Sequence, residues 1–183
     1  MVSKATATIE DLYRLPEHGK AELIDGELVI MSPTGFLPGR AGGEIYASLR
    51  AYERQTKLGY AIPDNVGFRV QLPNRESFSP DAAFYRGRVT GMKFLDGAPV
   101  FAAEVRSEHD YGDRAEQVIK AKRMDYFAAG TQVVWDVDLL DEDIIKVYRN
   151  DQPDTPVRYR RGDIAEAEPA VPGWIMPVDD LFM

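Results

Sequence analysis

The segments SPDAAFY (residues 79–85), VFAAEVRS (100–107) and QVVWDVD (132–138) decide the fold of this chain, together with the helix-forming stretch that separates the last two. Each segment is a short apolar run of strand length. Asp81 in the first and Glu104 in the second are acids on short apolar strands, and a helix rich in basic and apolar residues follows them. In VFAAEVRS the period of two sets Val100, Ala102, Glu104 and Arg106 on one face and Phe101, Ala103, Val105 and Ser107 on the other, so Glu104 lies inside an apolar run. Asp81 follows a proline at a strand start, which suits a sheet end. A proline–aspartate turn is the plainer reading of Asp81, and a structural salt bridge to Arg106, Arg114 or Lys122 is that of Glu104.

Residues 114–129 predict a helix. At about 100° per residue, Ala115, Val118, Ile119, Tyr126 and Ala129 fall on one side, and Glu116, Lys120 and Arg123 fall well round from it. Lys122 lands in the middle of the apolar side. An ammonium is costly to desolvate alone, so this position predicts an anionic partner; a lysine that snorkels to the helix edge is the alternative. Two carboxylates and a lysine converging at strand ends suit a divalent metal, and Mg²⁺ in particular takes one or two carboxylates plus waters and phosphate oxygens. Asp113 is the expected N-cap of this helix and Gly130 its C′ residue.

The ordered set Pro80-Asp81, then Glu104-Val105-Arg106-Ser107, then Lys122 with Tyr126 and Gly130, then Trp135-Asp136-Val137-Asp138 resembles the large bacterial family of restriction-endonuclease-like proteins within the PD-(D/E)XK nuclease superfamily. The resemblance extends upstream to ELIDGELVIMSPTG (22–35) and downstream to VPGWIMPVDDLF (171–182), nearly the whole chain. It implies a restriction-endonuclease-like α/β (α+β) fold, with a central mixed sheet flanked by helices and peripheral hairpins. It also implies hydrolysis of DNA phosphodiester bonds, with Asp81, Glu104 and the Val105 carbonyl holding Mg²⁺ or Mn²⁺. In the superfamily the lysine stands two residues after the glutamate, where this chain has Arg106. The resemblance therefore hands that role to Lys122 on the following helix. Two departures stand out: Pro38-Gly39-Arg40 replaces a common histidine, and Glu108 replaces a proline.

The 183 residues, 44% of them hydrophobic, are enough for one packed domain spanning 1–183. Twenty-two basic against 30 acidic residues leave a net charge of -8, a poor fit to tight non-specific DNA binding. A bound metal and a small basic patch are the ways round this. The absence of cysteine excludes disulfides and thiolate metal sites. No stretch has the apolar length of a signal peptide or membrane span, and a soluble cytoplasmic protein is the expectation.

Elsewhere, Thr8–Leu12 reads as a capped short helix ended by Pro16 and Gly19, with His18 in a loop. AELIDGELVIM alternates about Asp25-Gly26, a strong hairpin signal. Glu22 and Glu27 flank that turn as exposed strand residues, or one of them is an extra acid at the site. A helix is expected over 40–58 with Ile45, Leu49 and Tyr52 inward and Gly59 as its stop. Its Glu44 is either a solvated acid or a supporting carboxylate. Residues 65–73 read as a half-exposed strand, with Arg69 a surface charge. The loop 86–99 is expected near the site, and His109 reads as a loop residue. IIKVYRN and PVRYRR suggest a peripheral hairpin, and VPGWIMPVDDLF a cap anchored by Trp174.

A homodimer is the further expectation, since Met124 and Phe127 lie off the apolar side of the key helix. Two other functions fit the same residues. One is a catalytically inactive nuclease-fold module that binds or regulates. The other is a metal-independent hydrolase using Asp81 and Glu104 as an acid/base pair.

Overall fold

The computed structural model describes residues 6–15 and 20–182; the expected roles of Pro16, His18 and Gly19 lie outside these. Thr8 caps α1 (Ile9–Tyr13) through a reciprocal box with Asp11. The hairpin β1 (Ala21–Ile24) and β2 (Glu27–Ile30) closes on Asp25 and Gly26, both at positive φ (49° and 70°), the signature of a type I′ turn. Next, α2 (Phe36–Thr56) begins four residues before the position expected from the sequence, taking Pro38 into its first turn, where a missing N–H costs nothing. It ends on Lys57 in the left-handed conformation, not on Gly59. Gly59 instead lies so close to Tyr85 that a Cβ would sit 2.6 Å from its carbonyl oxygen.

The chain continues through β3 (Tyr60–Pro63), β4 (Phe68–Arg69), β5 (Ser77–Phe78), β6 (Ala82–Tyr85), β7 (Leu95–Asp96) and β8 (Phe101–Val105). The expected strand over 65–73 is thus reduced to two residues, and Arg69 pairs with Asp96 at the surface. After β8 come α3 (Asp113–Ala128), β9 (Val133–Val137), β10 (Ile145–Arg149), β11 (Gln152–Tyr159), β12 (Ile164–Glu166) and β13 (Ile175–Pro177), with a 3₁₀ turn at Val178–Phe182. Gly112, at φ 92°, stands at the N-cap of α3 in place of the expected Asp113, which is the first helical residue. Gly130, at φ 105°, follows the C-cap Ala129 as expected.

Six strands form the central sheet in the order β11-β10-β9-β8-β6-β3. Only β8 and β9 run parallel, joined by α3; the other neighbours are antiparallel. The hairpin of β10 and β11, expected at the periphery, extends this sheet beyond β9. One face packs Phe84, Phe101, Ala103 and Trp135 against Ile45, Leu49 and Tyr52 of α2. Trp174 closes that core, stacked 5.0 Å from Trp135. Its Nε1 donates to Ser48 Oγ at 3.0 Å. The other face sets Ala83, Ala102 and Val134 against Tyr126 of α3, with Phe78 stacked on Tyr126 at 4.0 Å.

α3 turns a slightly different side inward from the one its apolar pattern suggests. Tyr126 is buried, but Val118 is 61% exposed and Arg123 only 7%. The Arg123 guanidinium lies 3.6 Å from the centroid of the Tyr148 ring on β10, an attraction that offsets its desolvation. Lys120 points outward to Asp154. Phe127 packs against the core, whereas Met124 is exposed.

Candidate active site

The antiparallel register between β6 and β8 pairs Ala82 with Ala103, which brings Asp81, one residue before β6, to the level of Glu104. The Asp81 N–H donates to the Ala103 carbonyl at 3.1 Å, and the Val105 N–H donates to Asp81 Oδ2 at 2.8 Å. These two bonds fix the Asp81 carboxylate against the end of β8. The same register sends the connection 86–99 to the opposite end of both strands, since it leaves from Tyr85 and returns at Phe101; it is not near the site as expected.

Glu104 faces α3, as the period of two requires. Lys122 donates to Glu104 Oε2 at 2.9 Å and Tyr126, one turn further on, donates to Oε1 at 2.6 Å. A helix angle that singled out one lysine thus ends on the strand glutamate, and both its oxygens are engaged.

A third acid enters from the N-terminal hairpin. Glu22 on β1 is 3% exposed, and its Oε1 lies 3.0 Å from Lys122 Nζ. It also accepts from the Ser79 N–H at 2.9 Å and from Arg75 at 2.5 Å. Arg75 in turn bonds Asp125 of α3 at 2.9 Å. β1 lies along residues 74–79: Asp25 N–H donates to the Asn74 carbonyl, Glu76 N–H to the Leu23 carbonyl and Leu23 N–H to Ser77 Oγ. Leu23 faces the small core of α1 while Glu22, on the opposite side, faces Lys122. The reading of Glu22 as an exposed strand residue is corrected, because β1 is covered on both faces. Glu27 is exposed.

Four further residues bear on the site, and among them only Lys20 was missed by the sequence pattern. Lys20 lies 2.7 Å from Asp81 Oδ1 and 2.8 Å from Asp64 Oδ1, and nothing in the local sequence marks either contact. Glu44 pairs with Arg40 on its own helix at 2.8 Å, and His109 is exposed in its loop. Arg106, which stands at the superfamily's lysine position, is buried and engaged by other acids. Its guanidinium donates twice to Asp136, at 2.7 Å each, and also bonds Glu116.

The electrostatics follow from these contacts. Burial pushes the Glu104 carboxyl up, Lys122 opposes that, and the neighbouring charges of Asp81 and Glu22 add to it. Burial pushes Glu22 the same way, but Lys122, Arg75 and the Ser79 N–H together outweigh it and hold Glu22 below its ordinary value. The two acids on Lys122 therefore diverge: Arg75 and the Ser79 N–H add to Lys122 at Glu22, whereas at Glu104 burial and the charges of Asp81 and Glu22 outweigh Lys122 and Lys20. Burial opposes the charge of Lys122, yet Glu104 and Glu22 hold its ammonium protonated well above the usual range. Burial and then Glu104 push the Tyr126 phenol well above its usual value, so it remains a donor.

The donor set suits a hard divalent cation. Asp81 and Glu104 offer carboxylate oxygens close enough that the charge of Asp81 raises the proton affinity of Glu104, a repulsion that a cation relieves. Among the described residues no group of three or more His, Cys, Asp or Glu converges on one metal position. An ion here would rest on two carboxylates completed by backbone, water and phosphate oxygens, the habit of Mg²⁺.

A cavity of about 190 Å³ opens beside Asp81, walled by Gly39, Gly42, Gly43 and Tyr46 of α2 and by Asp64. At Gly42 an added Cβ would make ordinary van der Waals contact with Asp81, 3.5 Å from its Cβ.

No curated protein matches the chain. Among solved structures, it is similar to a crystal structure from Anabaena variabilis described as a putative nuclease, with a TM-score of 0.75 and 18% identity over 96% of this chain and 97% of that one. That likeness establishes the fold, an α+β domain built on a mixed central sheet. The family model described as "Putative restriction endonuclease" matches residues 9–179, a span that holds Glu22, Asp81, Glu104 and Lys122. The chain therefore belongs to this family, Uma2.

Proposed function

We propose that the protein is a divalent-metal-dependent endonuclease that hydrolyses DNA phosphodiester bonds. The observation that carries this reading is the meeting of Asp81 and Glu104 at adjoining ends of β6 and β8 with Lys122 on the glutamate at 2.9 Å. Membership of a family described as putative restriction endonucleases supports a nucleic-acid substrate. Asp81 and Glu104, with the Val105 carbonyl, are the residues that would hold Mg²⁺ or Mn²⁺. When bound, the ion supplies Lewis acidity at the phosphate and a nucleophile near neutral pH.

The chain's own groups do the rest. The Val105 N–H fixes the Asp81 carboxylate and Tyr126 fixes that of Glu104, so neither rotates away from the substrate side. Lys122, kept protonated by Glu104 and Glu22, stabilises negative charge developing at the phosphate. Glu22 and Arg75 hold Lys122 in place from behind. Among the described residues no helix is long and apolar enough to cross a membrane, and the cytoplasm is the compartment we infer.

A second reading has an observation of its own. Both oxygens of Glu104 are engaged by Lys122 and Tyr126, and both of Asp81 by Lys20 and the Val105 N–H. With a net charge of -8, such a saturated site suits a catalytically inactive nuclease fold that binds or regulates. Incubating supercoiled DNA with the purified protein in Mg²⁺, Mn²⁺ or chelator separates the two. The endonuclease nicks or linearises the DNA only with metal, and the inactive module leaves it supercoiled throughout.

A further inference from the structure

Besides Lys122, the site holds a second lysine. Lys20 stands two residues before Glu22, so the strand period directs both side chains to the same side. Its ammonium bridges Asp81 and Asp64, just as that of Lys122 bridges Glu104 and Glu22. The two bridges differ in their outer partner. Glu22 is enclosed, whereas Asp64 is 48% exposed in its side chain and lines the cavity beside Asp81. Lys20 itself is 17% exposed.

Resting on the metal-site reading, we propose that Lys20 is an exchangeable counter-ion. It sits on Asp81 Oδ1, and a divalent cation arriving at Asp81 and Glu104 displaces it onto Asp64. Three observations support this. The Val105 N–H holds Asp81 Oδ2, so the carboxylate cannot turn its other oxygen away from Lys20. An ammonium and a divalent ion that share one carboxylate within a few ångströms repel strongly in a partly buried site. Asp64, already 2.8 Å from the ammonium, gives it a carboxylate to keep, so displacement strands no unpaired charge. Lys20 is in this account a positioning residue, acting through the availability of Asp81.

Calorimetric titration with Mn²⁺, at constant ionic strength and without DNA, tests the exchange. Lys20→Met removes the competitor and is expected to bind Mn²⁺ roughly three- to fivefold more tightly, the equilibrium factor of a partly exposed ion pair. Asp64→Asn confines the lysine to Asp81 and is expected to bind more weakly by a similar factor. An unchanged or weaker affinity in Lys20→Met, with binding abolished in Asp81→Ala, overturns the exchange and leaves the metal site standing. No Mn²⁺ heat from the wild-type protein overturns both. Should Lys20→Met fail to fold by circular dichroism, Asp64→Asn decides: weaker binding supports the exchange, and unchanged binding overturns it.

Discussion

Glu22→Gln removes one charge and almost no volume from the most enclosed acid of the site. The carboxylate it replaces accepts from Lys122, Arg75 and the Ser79 N–H. Removing one partner of a buried ion pair costs about 3–5 kcal/mol where the other charge is stranded. Here neither cation is stranded. Lys122 keeps Glu104 at 2.9 Å and Arg75 keeps Asp125 at 2.9 Å, so a loss of about 2–3 kcal/mol is expected, the scale of hydrogen bonds to charged groups. With a urea dependence of about 2 kcal/mol/M, the unfolding midpoint should fall by roughly 1 M at pH 7.

The pH dependence gives a second check. Glu22 sits below its ordinary value of 4.5 in the folded protein, so its stabilisation is complete above that value and is lost as pH falls through the folded-state one. The gap between wild type and Glu22→Gln should therefore be full at pH 7 and narrow in acid below pH 4.5. Urea curves that superimpose at pH 7, or a gap that stays constant into acid, would refute the account of Glu22.

Divalent metal should raise the melting temperature of the wild-type protein through linkage, and Asp81→Ala and Glu104→Ala should each remove most of that rise; equal shifts in all three would contradict the ligand assignment. The expected homodimer should show twice the 20.5 kDa chain mass by light scattering at micromolar concentration, and a monomer mass counts against it. Met124 supplies its exposed apolar surface, since Phe127 is already packed on the core.

What the sequence made legible was local. The Asp25-Gly26 turn, an acid inside the apolar run of β8 and a lysine one turn before Tyr126 are each recorded within a few residues, and the positive φ values and the Lys122–Glu104–Tyr126 contacts follow. The rest depends on distant partners. Glu22 meets Lys122 a hundred positions away because β1 is covered on both faces, whereas hairpin alternation predicts one solvated face. Lys20 and Asp64 come together only once the chain preceding β1 and the turn after β3 converge on Asp81. Apolar periodicity placed Arg123 outside and Val118 inside, because it weighs residue type and cannot register an aromatic ring such as Tyr148 waiting under a guanidinium.

The helix phase of α3 and the chemistry proposed for it meet in one assay, supercoiled-DNA cleavage in Mg²⁺ by the Lys122→Met and Lys120→Met proteins, with folding verified by circular dichroism. Lys122 contacts Glu104 and Glu22, while Lys120 contacts Asp154 at the surface. The account predicts that Lys122→Met abolishes cleavage and Lys120→Met cleaves as wild type. Cleavage that survives in Lys122→Met, or that is lost in Lys120→Met alone, would contradict it.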